Sequence, residues 1–179
     1  QITAVRSECP ILETVNIASK IQKGNTKVKV PSVTAIMVDV DDNSCSVPVK
    51  VYYDNTDITA DMSFTAETIG KHTLTYKAVS PTDKTAVSEK SYEIEVLDFT
   101  DENLYDNDYA FISNFISTDN CSYAFDVNGY LSMSVAEGQS GTLNFSNKIK
   151  NNFINFEISI NNVRNEFEGV SVTISDFVR

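Results

Sequence analysis

Apolar residues fall at every second position through most of this chain, and the pattern is clearest between Gly70 and Asp98. There Leu74, Tyr76 and Ala78 share one side of a first run, with Tyr92, Ile94 and Val96 opposite in a second. The polar segment Ser80-Pro81-Thr82-Asp83-Lys84 joins them, which predicts the closing hairpin of an antiparallel sandwich. Upstream, Lys27-Val28-Lys29-Val30-Pro31 predicts a short strand stopped by proline. Ile36, Val38 and Val40 predict a common face, and so do Val47, Val49, Val51 and Tyr53, with turns at Asp41–Ser44 and Asp54–Asp57. Phe64 anchors a brief strand. Ile11 to Ile17 fits a strand better than a helix, given its β-branched content and the nearby Gly24-Asn25. One-sided alternation of this kind means sheets with one buried and one wetted face.

Beyond Asp98 the texture becomes acidic and aromatic up to Tyr109, without the Gly, Ser or Pro content of a free hinge. Alternation resumes at 111–116, then on both sides of Asn128-Gly129, a strong hairpin signal because both turn positions accept positive φ. Leu143 and Phe145, then Phe156, Ile158 and Ile160, then Val170, Val172 and Ile174 complete the series. The expected fold is all-β: two tandem antiparallel β-sandwiches, residues 1–97 and 98–179.

The order of the first half resembles bacterial immunoglobulin-like modules, found in tandem on Gram-positive surface proteins and in multimodular secreted glycosidases. Pro10 matches the opening proline, and Gly24 with Val30-Pro31 matches a Gly…Leu-Pro element. Phe64, Gly70, Leu74, Tyr76 and Ala78 match a Phe…Gly-x-Tyr-Thr-Leu-Thr-Tyr-x-Ala signature, and Val96-Leu97-Asp98 the exit. The match covers residues 10–98. His72 departs from it, standing where an aromatic usually begins the penultimate strand, and Ser80–Lys84 replaces the usual Asp-x-x-Gly-Asn turn. The second half is loosely similar to the opening of a concanavalin-A-like or laminin-G-like jelly roll through Gly129–Val135, Phe156–Ile160 and Gly169–Ile174. Such domains use more strands than these residues supply. The jelly roll is therefore truncated, or it is a smaller sandwich with a covered edge.

A net charge of −11 sharpens the picture. Residues 1–97 carry 10 basic and 13 acidic side chains, and residues 98–179 carry 4 and 12. Such a surface repels phosphate backbones and anionic headgroups, which argues against nucleic acid and membrane partners. No apolar run reaches membrane-spanning length, and the chain reads as mature or cut from something longer. Cys9, Cys45 and Cys121 match no zinc signature and no disulfide framework; buried or idle thiols are the preferred reading, although Cys9 and Cys45 could meet across a sandwich.

Candidate chemistry is sparse. His72 is the only histidine, so no catalytic triad has a spare base, and the expected role is a hydrogen bond to the loop preceding its own strand. Glu157, Glu166, Glu168 and Asp176 offer carboxylates for glycoside hydrolysis. Glu157 and Asp176, however, sit on outward strand phases, and the chain has no Trp to line a sugar cleft. The expectation is a protein without catalysis and without an obligatory cofactor. Hard oxygen ligands suit Ca²⁺, and Asp98, Asp101, Asn103, Asp106 and Asp108 form the better candidate cluster; Asp39, Asp41, Asp42 and Asn43 read as a self-capping turn. Of Tyr105, Tyr109, Tyr123 and Tyr130, the candidate sugar-stacking residues are Tyr123 and Tyr130, whose phases oppose Ala124 and Leu131. Asn120-Cys121-Ser122 and Asn144-Phe145-Ser146 fit the short glycosylation pattern.

The resemblance implies an extracellular or bacterial cell-surface interaction module, engaged in adhesion or in binding a glycan or protein, with the first sandwich as spacer. Two other readings stand beside it: an accessory carbohydrate-binding region of a secreted glycosidase, and a structural stalk.

Overall fold

The computed structural model describes residues 9–38, 44–98, 100, 108–110, 112 and 116–145. Every regular element among them is a strand, so the chain is all-β as the alternation predicts. It divides into two compact units: residues 1–114 with 123–133, and residues 115–122 with 134–179.

The spine of the first unit is the hairpin of β9 (Gly70–Val79) and β10 (Val87–Leu97). Its register runs from Val79 opposite Val87 to Gly70 opposite Val96. Leu74, Tyr76, Ala78, Ile94 and Val96 are all buried, which makes the predicted face the actual one. The turn is held by Ser80 Oγ, which accepts the N–H groups of Thr82 (3.3 Å) and Asp83 (3.1 Å). Asp83 Oδ1 in turn accepts from Thr85 N at 2.9 Å. This side-chain-to-backbone bonding is why a polar run can reverse the chain without glycine.

Two further strands flank the hairpin. β2 (Lys20–Gln22) runs parallel to β10, and β6 (Val49–Tyr53) runs antiparallel to β9. With β7 (Thr56–Asp57) and β11 (Tyr109–Ala110), they form a six-stranded sheet in the order β11-β2-β10-β9-β6-β7. Pro48 divides β6 from β5 (Ser44–Val47), and at that point the chain changes partner. β5 pairs with β4 (Ala35–Val38), whereas β6 pairs with β9. A residue without an N–H suits such a switch, because it withdraws one rung from the ladder. β1 (Ile11–Leu12) completes a three-stranded sheet, β1-β4-β5.

A four-stranded sheet faces the six-stranded one. It contains β3 (Lys27–Lys29) antiparallel to β8 (Ser63–Thr65), then β13 (Cys121–Asp126), which runs parallel to β3, then β14 (Leu131–Val135). Val28, Phe64, Phe125 and Val127 are buried on this side, and Val51, Leu74 and Tyr76 on the other. The layers are tied by Tyr76, whose hydroxyl donates to the Pro31 carbonyl at 3.0 Å, and by Tyr53 and Phe64, whose rings stack with centroids 4.1 Å apart.

Three local expectations are corrected. The strand expected over Ile11–Ile17 stops at Leu12; the chain then leaves the sheet, with Glu13 N bonded to the Thr34 carbonyl and Val15 N to Tyr92 Oη. The face expected for Ile36, Val38 and Val40 is the outer one at Ile36. Register stacks Leu12, Ala35 and Val47 inward, all buried, and pairs Ile11 with Ile36, both exposed; Val40 lies outside the described residues. The hairpin at Asn128-Gly129 turns over three residues rather than two. Asp126 and Tyr130 close it, and only Gly129 (φ 82°) takes the left-handed conformation. Asp126 Oδ1 accepts the N–H groups of Asn128 and Tyr130, both at 2.9 Å, and this local capping favours the longer loop.

In the second unit, β12 (Ile116–Asp119) pairs antiparallel with β15 (Thr142–Phe145), from Ile116 opposite Phe145 to Asp119 opposite Thr142. Cys121 Sγ donates to the Thr142 carbonyl at 3.2 Å just beyond this ladder. The strands expected after Phe145 lie outside the described residues. All three cysteines are free thiols, and Cys9 and Cys45 are exposed rather than buried.

Candidate functional site

Alternation on β3 decides what the outer face of the four-stranded sheet displays. Val28 and Val30 turn inward, so Lys27 and Lys29 must turn out, and both are exposed. Antiparallel β8 brings Ser63 opposite Lys29 and Thr65 opposite Lys27. On the other flank, parallel β13 sets Phe125 beside Val28 and Asp126 beside Lys29. Together with the turn at Asn25 and Thr26, these residues enclose an open pocket of about 490 Å³. Asn25, Thr26, Lys27, Lys29, Ser63, Tyr123 and Ala124 line it.

Tyr123 forms the aromatic wall. It is half-buried, and its ring meets Phe125 edge-on, with centroids 6.2 Å apart and planes at 83°. Phe125 is fixed in the core and shares the strand phase of Tyr123, so its ring flanks the Tyr123 ring and limits its movement. The remaining lining is hydroxyl, amide and ammonium. Neither lysine forms an ion pair among the described residues. The cross-strand neighbour Asp126 forms no ion pair with Lys29 among the described residues, and one oxygen of that carboxylate accepts two N–H groups of the hairpin turn. The pocket can therefore offer two positive charges, several neutral hydrogen-bonding groups and one ring edge or face to a polar ligand.

The other sequence candidates fall elsewhere. Tyr130 is 69% exposed at the hairpin tip and does not line the pocket. Tyr109 stands in β11, and Tyr105 lies outside the described residues. Of the calcium candidates, Asp101, Asn103 and Asp106 lie outside the described residues. Asp98 forms an ion pair with Lys23 at 3.8 Å, and the Asp108 carbonyl accepts from Lys20 N. Among the described residues, no three His, Cys, Asp or Glu side chains gather as a metal-holding group. Asp39, Asp41, Asp42, Asn43, Glu157, Glu166, Glu168 and Asp176 are outside them as well. Both glycosylation-pattern asparagines, Asn120 and Asn144, are exposed.

His72 occupies a different corner of the first unit, where its surroundings are those of a clasp. Nε2 bonds the Thr68 carbonyl at 2.7 Å, in the loop before β9, as the sequence leads one to expect, and Nδ1 bonds the Asp54 carboxylate. Its ring stacks on Tyr53 at 5.4 Å, in line with the Tyr53–Phe64 stack. Both nitrogens face acceptors; a ring with hydrogen on each donates to both, and a neutral ring to one. Asp54 also accepts from Thr73 N at 2.8 Å, and Asp54 itself takes a positive φ of 47°. What this cluster binds is the protein's own backbone.

Desolvation pulls the Asp54 carboxyl upward, but the hydrogen bonds from His72 and Thr73 and the His72 charge together outweigh it. The carboxyl therefore lies below its usual 3.8. A carboxylate held down in the folded state adds stability above the unfolded value and loses it as pH falls through the folded one. Wild-type unfolding free energy should accordingly drop as a urea-melt series descends below pH 4, and Asp54→Asn should show a shallower drop. Identical slopes for the two proteins would contradict this placement of the charge.

Sequence reasoning selected Tyr123 and missed Lys27 and Lys29 as its companions. The signal was present: two lysines two apart on one strand put cations side by side on one face of a strongly acidic chain. What the sequence lacked was the pairing of β3 with a strand about 95 residues downstream.

No protein-family model, no curated protein and no solved structure matches this chain.

Proposed function

We propose that this chain is a non-catalytic interaction module that binds a glycan through the β3–β13 face. In this reading the first unit is an immunoglobulin-like module of a bacterial surface or secreted protein. Its rigid core holds the binding face steady, and the attachment serves adhesion. The observation that carries the proposal is the pocket itself, in which a braced tyrosine stands beside hydroxyl, amide and ammonium groups. Saccharides present an apolar ring face and a rim of hydroxyls, and this combination of an aromatic wall with dispersed polar groups complements both.

A glycan array probed with the whole chain, with and without Ca²⁺, tests the proposal. Tyr123→Ala should weaken binding to the best saccharide by about two- to twelvefold, since aromatic contacts of this kind contribute roughly 0.5–1.5 kcal/mol. Tyr130→Ala should leave binding unchanged. An array without any retained saccharide would leave the module as a stalk and discard the binding reading.

A further inference from the structure

We infer that the saccharide taken by this pocket is acidic, bearing carboxylate or sulfate groups. The inference rests on the glycan-binding reading above and narrows it to one chemical class. Lys27 and Lys29 stand on one side of β3, two residues apart, so their Cα atoms are separated by roughly 6.7 Å along the strand. Both side chains are exposed beside the pocket, and neither is engaged in an ion pair among the described residues. Three other lysines of the first unit are matched to carboxylates, Lys71 to Glu93 at 2.7 Å, Lys50 to Asp57 at 3.6 Å and Lys77 to Glu89 at 3.6 Å, whereas Lys84 and Lys90, the latter bonded to Thr14 Oγ1, form no ion pair among the described residues. What sets Lys27 and Lys29 apart is that they lie side by side in one pocket, without a carboxylate partner among the described residues, in a chain with 25 acidic and 14 basic side chains.

The long-range field does not defeat this. At physiological ionic strength charges are screened beyond about 8 Å, so a ligand in the pocket responds to Lys27 and Lys29 more than to acidic residues on distant faces. The nearest carboxylate by register, Asp126, has one oxygen turned into its own hairpin turn. The acidic remainder of the surface excludes polyanions from other faces, and it thereby confines them to this one. A lysine ammonium is a compact, rotatable donor, so the pocket is suited to carboxylate and sulfate alike. It lacks the fixed fork of an arginine that would choose between planar and tetrahedral anions.

The test is calorimetric titration of the whole chain with four probes of matched length: an oligouronate, a sulfated neutral-sugar oligosaccharide, the uncharged parent oligosaccharide and single-stranded oligodeoxynucleotide. The expected result is binding of one or both acidic saccharides, weakened by added salt, with the uncharged parent at least tenfold weaker. Lys27→Gln/Lys29→Gln should lower acidic-saccharide affinity about 25-fold, taking roughly fivefold for each exposed charge pair. Lys77→Gln, on the six-stranded sheet, should leave it unchanged, and equal thermal midpoints would show that all variants are folded. The carboxylated and sulfated arms tell which anion is preferred. Equal affinity for charged and uncharged sugars, lost in Tyr123→Ala, would overturn the acidic specificity and keep the glycan reading. Tightest binding to the oligodeoxynucleotide, or an unchanged double-lysine variant, would overturn the inference; no binding to any saccharide would remove both.

Discussion

Replacing Tyr76 by alanine is expected to lower the unfolding free energy by about 4 kcal/mol, the range for truncating a large aromatic in a packed core. Tyr76 is 1% exposed at the centre of β9, with Val51 opposite it on β6 and Lys90 on β10. Its ring meets Tyr92 edge-on at 6.0 Å, and its hydroxyl reaches across the layers to the Pro31 carbonyl. Burial, and secondarily the neighbouring Tyr92, pushes its phenol pKa well above the usual range, so the hydroxyl remains a donor throughout ordinary conditions. Tyr76→Phe separates the two contributions. It retains the ring and abandons one hydrogen bond, and it should cost about 1 kcal/mol. Urea melts of the two variants check this, and a Tyr76→Ala loss near that of Tyr76→Phe would mean the ring is not the keystone of the interface. Small domains have only about 5–15 kcal/mol in total, so the alanine variant should approach the edge of folding.

The second large effect is expected at Phe64, where alanine should cost about 3 kcal/mol. Phe64 is 6% exposed on β8 and stacks on Tyr53, with planes only 13° apart, and Tyr53 in turn stacks on His72. Removing Phe64 takes away the first ring of this series and opens the end of the sandwich between β8 and β6. A double-mutant cycle with Tyr53→Leu should yield a coupling energy of about 1 kcal/mol, as for aromatic pairs generally, whereas additive losses would show that the stack contributes nothing beyond area. Tyr53→Phe is the matching control. The Tyr53 hydroxyl is buried without a hydrogen-bond partner among the described residues, so its removal should be neutral or stabilising.

These residues also mark how far the sequence alone reaches. Leu74, Tyr76, Ala78, Ile94 and Val96 were legible because β9 and β10 are long, strictly alternating and adjacent in the chain. Local pattern and local pairing then agree. His72 was legible for a similar reason: the carbonyl it bonds lies four residues away. Ile36 was not, because its face is decided by register against Leu12 and Val47 rather than by its own run. Two adjacent apolar residues, Ala35 and Ile36, leave the phase of a short strand undetermined. The hairpin at Asn128-Gly129 was found, while its loop length depended on where Asp126 places its carboxylate. The pocket was not legible as a unit: Tyr123 proves to share its strand phase with buried Phe125, and the lysines beside it come from the far end of the chain.

The parallel neighbour of β3 has a consequence for how the molecule is made. Emerging from a ribosome, residues 27–29 find their antiparallel companion, residues 63–65, soon afterwards, yet the opposite side of that strand stays bare until about residue 125 has been synthesised. For that interval the nascent chain presents an open row of amide and carbonyl groups, the kind that recruits a stranger's strand. Closing it requires a loop of nearly a hundred residues, a late and entropically slow event. Any shortened version that stops near residue 98 would keep that row permanently uncovered, and it would have to be handled as a sticky species.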